Sequence, residues 1–200
     1  KLLIGAEIVP VDSPPLLLLA TDRSSYSRLS TLITVGRRAT GKGECHLTFD
    51  DVCAHSEGLL ALIPLPPCLS VHPSVATEFL AECKTVFSDR CYALAELHLG
   101  PDDDWLLQKQ LALAEAEGIP VAAANDVHYH VAERQPLQDV VTAIRNGCRV
   151  EQLGVHRFTN AERHLKSSTQ MKQLFQSAPE LIERTIEIAD RCHFSLDELC

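Results

Sequence analysis

The chain has 200 residues and a mass of 22.0 kDa, with 46% hydrophobic and only 5% aromatic residues, a balance that fits one large domain with a core of Leu, Val, Ile and Ala. Its 18 Lys and Arg stand against 27 Asp and Glu, a formal net charge of -9, so the segment by itself is a poor electrostatic match for a phosphate backbone. No apolar run approaches the length of a transmembrane helix, and no membrane role is expected.

Leu2 to Val9 and Leu16 to Ala20 are apolar runs separated by Val11-Asp12-Ser13-Pro14-Pro15, a turn composition that predicts a strand pair. Ser24 to Val35 carries Tyr26, Leu29, Leu32 and Ile33 at helical spacing, with Ser24 or Ser25 as the expected N-cap and Gly36 as the stop. Arg37, Arg38 and Lys42 form one small basic cluster, read as a solvated turn. Gly41 to Cys45 reads as a loop, and Thr48 caps a second helix reaching His55.

Gly58 leads into the buried-strand pattern Leu59 to Ile63, ended by Pro64, Pro66 and Pro67, and a helix is expected near Ser74 to Cys83. Cys91 to Leu97 is a further strand that finishes at His98. Asp102, Asp103 and Asp104 place negative charge at the start of a helix through Leu106, Leu107, Leu111 and Ala114, and Gly118 closes it before the Ile119 to Ala124 strand. Strand, helix, strand is the βαβ signature of an α/β chain. Pro136 suits the first turn of a helix carrying Leu137, Val140, Val141 and Ile144, with Gly147 past its end. The remaining third reads as helical, with Met171, Leu174 and Phe175 on one helix and Leu181, Ile182, Thr185, Ile186 and Ala189 on another.

The most informative stretch is Asn125-Asp126-Val127-His128-Tyr129, directly after an apolar strand. In an extended segment side chains alternate, so Asp126 and His128 are expected to share a side. Barrels of parallel strands keep their chemistry at the C-terminal strand ends. Three predicted strands end in metal-capable residues: Glu7, His98, and the pair Asp126 and His128. Hard divalent cations and zinc accept such mixed carboxylate and imidazole ligands, and clustered ions suit phosphoester hydrolysis. The competing reading makes Asp126 a cap and His128 a surface residue. His46, His55, His72, His130, His156, His164 and His193 have no metal-type partner nearby in sequence and are read as surface or cap residues, His55 and His130 being the best of them as ligands.

The 8 cysteines, Cys45, Cys53, Cys68, Cys83, Cys91, Cys148, Cys192 and Cys200, include no C-x-x-C pair and no compact framework, so neither a zinc ribbon nor a disulfide scaffold is indicated and reduced thiols in a cytoplasm fit best. Cys91 and Cys148 lie in core-like patterns. The chain opens at Lys1 with a strand already under way, which reads as a piece of a longer protein rather than a signal peptide.

Several of these residues together carry a resemblance. Gly5-Ala6-Glu7, the Leu18-Leu19-Ala20 strand followed by Tyr26-Ser27-Arg28-Leu29, Glu96-Leu97-His98, Asn125-Asp126-Val127-His128-Tyr129 and Glu162-Arg163-His164-Leu165-Lys166 through Ile186 to Cys192 resemble, in order and spacing, the PHP (polymerase and histidinol phosphatase) domain of bacterial C-family DNA polymerases. Lys42 to Thr48 and Pro136 to Val140 look more like the error-prone branch, the DnaE-type translesion polymerase ImuC, than the replicative subunit. The resemblance covers essentially the whole chain. It implies a TIM-like (β/α)7 barrel, partial here, over residues 1–150 from about the third strand onward. Residues 151–200 would form the helical end leading toward the polymerase core.

The resemblance further implies up to three divalent metal ions (Zn, Mn or Mg) at one barrel mouth. Glu7, His98, Asp126 and His128 match the family's ligand positions. Two departures weaken the set: Ile63-Pro64-Leu65-Pro66 stands where the family often has a Ser-Gly-Cys turn supplying a ligand, and Gln138 where the replicative branch commonly has His. The His-x-His that opens the family's first strand is absent, and the carboxylates of nucleotidyl transfer would lie downstream. The implied function is DNA-directed DNA synthesis across damage by the complete protein, with this segment as structural support and its phosphoesterase activity weakened or lost. The implied partners are primer-template DNA, the sliding clamp and mutagenesis accessory proteins. A free-standing PHP phosphoesterase and a non-catalytic interaction scaffold that binds no metal are the two alternatives.

Overall fold

The computed structural model describes residues 1–65 and 73–199; Pro66, Pro67, Cys68, His72 and Cys200, singled out in the sequence, lie outside the described residues. The chain is mixed α/β. Five strands, β1 (Gly5–Ile8), β2 (Leu16–Ala20), β3 (Leu59–Pro64), β4 (Cys91–Glu96) and β5 (Val121–Ala124), form one sheet in the order β1-β2-β3-β4-β5. Strand β2 runs antiparallel to both neighbours, whereas β3, β4 and β5 are mutually parallel. The parallel strands are joined by the crossover helices α3 (Pro73–Phe87) and α4 (Asp103–Ala116), as the βαβ pattern requires.

Burial explains why the parallel strands read as unbroken apolar runs. Leu59 to Ile63 and Cys91 to Ala95 are buried throughout because helices cover both faces of the sheet. One face, bearing Leu16, Leu18, Ala61, Ile63 and Ala93, packs on α1 (Arg23–Arg38), α2 (Phe49–Ala54) and α3. The other, bearing Leu60, Leu62, Tyr92, Leu94 and Ala122, meets Ile188 and Cys192 at the end of α7 (Glu180–Arg191). Phe175, just past α6 (Ser168–Leu174), joins Leu107 and Leu181 in a third cluster with Ala95 and Leu97. Each fully buried Leu contributes on the order of 1.5–3 kcal/mol. No helix among the described residues is long and apolar enough to cross a membrane.

Local chemistry corrects the expected start and stop of α1. Its N-cap is Asp22, whose carboxylate accepts from the Ser25 backbone N–H at 2.7 Å, while the Ser25 hydroxyl reaches back in a capping box. Ser25 is therefore the third helical residue and not the cap, because Asp at the preceding position can satisfy the free N–H groups. Nor does Gly36 stop the helix. It lies within it, buried against Cys45 and Leu47, where a glycine permits close approach. Thr48 caps α2 as expected.

Helix α5 (Gln135–Arg145) turns its polar side inward. Asp139 and Ala143 are buried, while Leu137, Val140, Val141 and Ile144 are exposed. The Asp139 carboxylate accepts from Arg157 Nε at 2.9 Å. This pair ties α5 to the 3-10 turns at Val150–Gln152 and Gly154–His156.

Candidate functional site

Strand register fixes which carboxylates share a face. Glu7 lies opposite Leu17, Leu17 opposite Leu62 and Leu62 opposite Tyr92, and two residues along β4 from Leu94 comes Glu96, opposite Ala124. Opposed residues project from the same face of a sheet, so Glu7 and Glu96 share a face, Glu96 lying four residues along β4 beyond the row of Glu7. They line a cleft of about 480 Å³ with His98, Asp126 and Arg163, walled by Pro64, Leu65, Leu94 and Phe158. That volume is in the range of small-ligand clefts.

Three of the four predicted ligand positions, Glu7, His98 and Asp126, thus border one cleft. His128 does not line it but borders a neighbouring depression with Gln138 and His130. Its Nε2 nevertheless lies 3.3 Å from the Asp126 carboxylate. The contact is not made by strand alternation. Strand β5 ends at Ala124, and Asp126 takes a left-handed backbone, φ 42°, a conformation that Asp tolerates better than most residues. Leu65 is buried and adds an apolar side chain to the cleft wall.

Two residues that sequence reasoning did not assign to the site dominate it. Glu96 could have been found by the alternation rule, since it lies two residues before His98. Arg163, 37 residues from Asp126, leaves no local signal. Its guanidinium binds the Asp126 carboxylate and stands 3.8 Å from Glu96 Oε2. It also covers the Phe158 ring, 4.5 Å from the centroid.

Burial first, and then the nearby Asp126 carboxylate, pushes the Glu96 carboxyl up to about 7 against the pull of Arg163; Glu7 adds to the rise. Burial likewise lowers the His98 imidazole below its usual range, and Arg163 acts in the same direction. The His98 Nε2 faces the Asn125 carbonyl oxygen at 3.3 Å. Its backbone N–H donates to Asp103 in the first turn of α4, and its carbonyl accepts from Asn160 Nδ2 at 2.6 Å.

These contacts decide how well the cleft fits a divalent cation. Asp126 Oδ2 is engaged by the Arg163 guanidinium, and His98 Nε2 meets a carbonyl oxygen, which calls for an N–H there rather than the free lone pair that a metal would need. Among the described residues no three His, Cys, Asp or Glu side chains come together around a point where one metal ion would sit. The donor set in this arrangement does not fit the metal cluster that the family pattern implies.

Two of the remaining histidines serve local structure. His55 Nδ1 lies 2.8 Å from the Asp51 carbonyl at the end of α2, and His164 Nδ1 lies 2.9 Å from the Ala161 carbonyl.

No protein-family model matches the chain. It is 39% identical over 208 residues, 98% of its own length, to an error-prone DNA polymerase of Rhodopirellula baltica. It is 38% identical over 199 residues to error-prone DNA polymerase 1 of Agrobacterium fabrum, and 42% identical over 202 residues to an error-prone DNA polymerase of Methylococcus capsulatus, covering 100% of this chain in each case. The chain spans 18% of the length of each of these curated relatives.

Proposed function

We propose that this chain is the PHP segment of an error-prone DNA polymerase, supporting a catalytic centre that lies outside these residues. The observation that carries the reading is the end-to-end match, at 38–42% identity, to three proteins named for that activity. In this reading the complete protein is a DNA-directed nucleotidyltransferase that copies damaged primer-template DNA in the cytoplasm, using divalent metal ions at carboxylates elsewhere. The sliding clamp and mutagenesis accessory proteins are its proposed partners.

Within the segment, the five-stranded sheet and its crossover helices are proposed as part of a TIM-like (β/α)7 barrel over residues 1–150, with residues 151–200 leading toward the polymerase core. Glu7, His98, Asp126 and His128 are proposed as the positions that correspond to the family's metal ligands. The engagement of Asp126 by Arg163 and His128, and of His98 by the Asn125 carbonyl, favours structural support over phosphodiester hydrolysis.

Primer extension by the purified full-length gene product, on undamaged and abasic templates, tests the reading. Templated extension past the lesion is expected, and a folded preparation that extends neither template overturns it. In the same preparation the supporting role predicts no 3′ to 5′ degradation attributable to this segment. A nuclease activity that disappears in Asp126→Ala would overturn that role.

A further inference from the structure

We infer that Arg163 is the resident counter-ion of the cleft, occupying with its guanidinium the place between Asp126 and Glu96 where a divalent metal would sit, so that cation binding appears only when that charge is removed. The arginine is positioned by its main chain. Its carbonyl accepts from the backbone N–H groups of His128 at 2.9 Å and Tyr129 at 3.4 Å, and Leu165 N donates to the Tyr129 carbonyl at 2.9 Å. Asn125 Nδ2 donates to the neighbouring His164 carbonyl at 2.7 Å. The segment bearing Arg163 is therefore stitched to the loop bearing Asp126 on both sides of the ion pair.

Packing holds the side chain as well. Arg163 is 21% exposed, and Phe158 beneath it also packs against the His128 ring, with centroids 4.8 Å apart. A guanidinium fixed in this way presents a planar fork that matches a carboxylate and does not exchange its charge in water. A divalent ion would compete for the same Asp126 oxygens and would meet a fixed positive charge at short range. With Arg163 neutralised, the carboxylates of Glu7, Glu96 and Asp126 would line the cleft without their counter-ion, oxygen donors acceptable to zinc or manganese. Whether the complete protein polymerises DNA does not bear on this charge balance.

Zinc binding decides the matter, read as equivalents per chain by equilibrium dialysis and elemental analysis of the full-length gene product, alongside its melting temperature with and without Zn²⁺. Arg163→Gln is expected to bind at least one more equivalent than the unaltered protein and to melt higher with Zn²⁺. The Arg163→Gln, Asp126→Asn double variant should lose that gain, and Arg163→Lys should show none. In the unaltered protein, Asp126→Asn should leave the zinc count unchanged, a readout that stands even if Arg163→Gln fails to fold. A fall of one or more equivalents in that single variant would mean that metal and arginine share the cleft and would overturn the inference. Equal counts in a folded Arg163→Gln would overturn it too.

Discussion

The Tyr92 hydroxyl donates to Glu187 Oε1 at 2.7 Å while accepting from Arg191 Nη1 at the same distance, linking β4 to α7 across 95 residues of chain. Hydrogen bonds from Tyr92 and Arg184 hold the Glu187 carboxyl below its ordinary value of 4.5. A folded-state value lowered in this way contributes stability that is complete above the ordinary value and is lost as pH falls through the lower folded one. Tyr92→Phe should cost about 1 kcal/mol at neutral pH and flatten the acid side of the stability profile. Melting temperatures of the two proteins between about pH 5 and pH 3, the range in which carboxylates titrate, provide the check; parallel acid limbs would show that Tyr92 does not hold Glu187.

Asp139 is a buried carboxylate whose charge is balanced by the half-exposed Arg157. Truncating the arginine leaves the carboxylate without that partner, the costlier way to break such a pair. Arg157→Ala should lower stability by about 1–3 kcal/mol, whereas Asp139→Asn, which can still accept from Nε, should cost less. Urea midpoints of the two variants give the order. A harmless Arg157→Ala would mean that α5 draws nothing from this contact.

Gly36 sits where an added Cβ would come within 2.6 Å of both Cys45 Sγ and Leu47 Cγ. Alanine in a helix interior would ordinarily gain about 1 kcal/mol over glycine. Overpacking against the buried Leu47 opposes this with a penalty of about 1–3 kcal/mol. Gly36→Ala should therefore be net destabilising, and less so in a Cys45→Ala background, where one of the two collisions is relieved. Denaturant unfolding of the single and double variants measures the coupling; a stabilising Gly36→Ala would show that the helix can shift away from Leu47 freely.

What was legible in the sequence was local. The apolar runs that became β2 to β5, the Thr48 cap and the Gly118 stop each depend on neighbours in the chain, and they lie where expected. The cap of α1 lies two or three residues before the expected Ser24 or Ser25, because several polar residues in a row can each cap a helix and the capping box with Ser25 forms from Asp22. Gly36 looked like a terminator because a glycine retained for close packing and a glycine retained for a left-handed turn are the same letter. At the candidate site, the strand-end pattern points to Glu7, His98 and Asp126, and these three residues border one cleft. The Asp126–His128 contact arises otherwise than strand alternation implies, since Asp126 lies past the end of β5 with a left-handed backbone. Arg163 was not visible as a site residue because its partnership with Asp126 exists only through tertiary pairing.

Cysteine chemistry gives an independent reading of the core. Burial pushes the Cys83 thiol strongly upward and that of Cys91 up to about 12, and both are fully enclosed between the sheet and its helices. Since the thiolate is the reactive species, neither should be modified in the folded protein at pH 8. Cys45, exposed at the loop after α1, should react readily. Peptide mapping after brief treatment with a maleimide should find label on Cys45 while Cys83 and Cys91 remain free, and all three labelled once denaturant is added. The sign with pH follows from the raised values: the unfolded thiols ionise first, so alkaline pH above the ordinary thiol value favours unfolding, and labelling of Cys91 should accelerate there with the unfolding rate rather than with its own thiolate fraction. Rapid labelling of Cys91 at pH 8 without denaturant would place it outside the packed layer between β4 and α3.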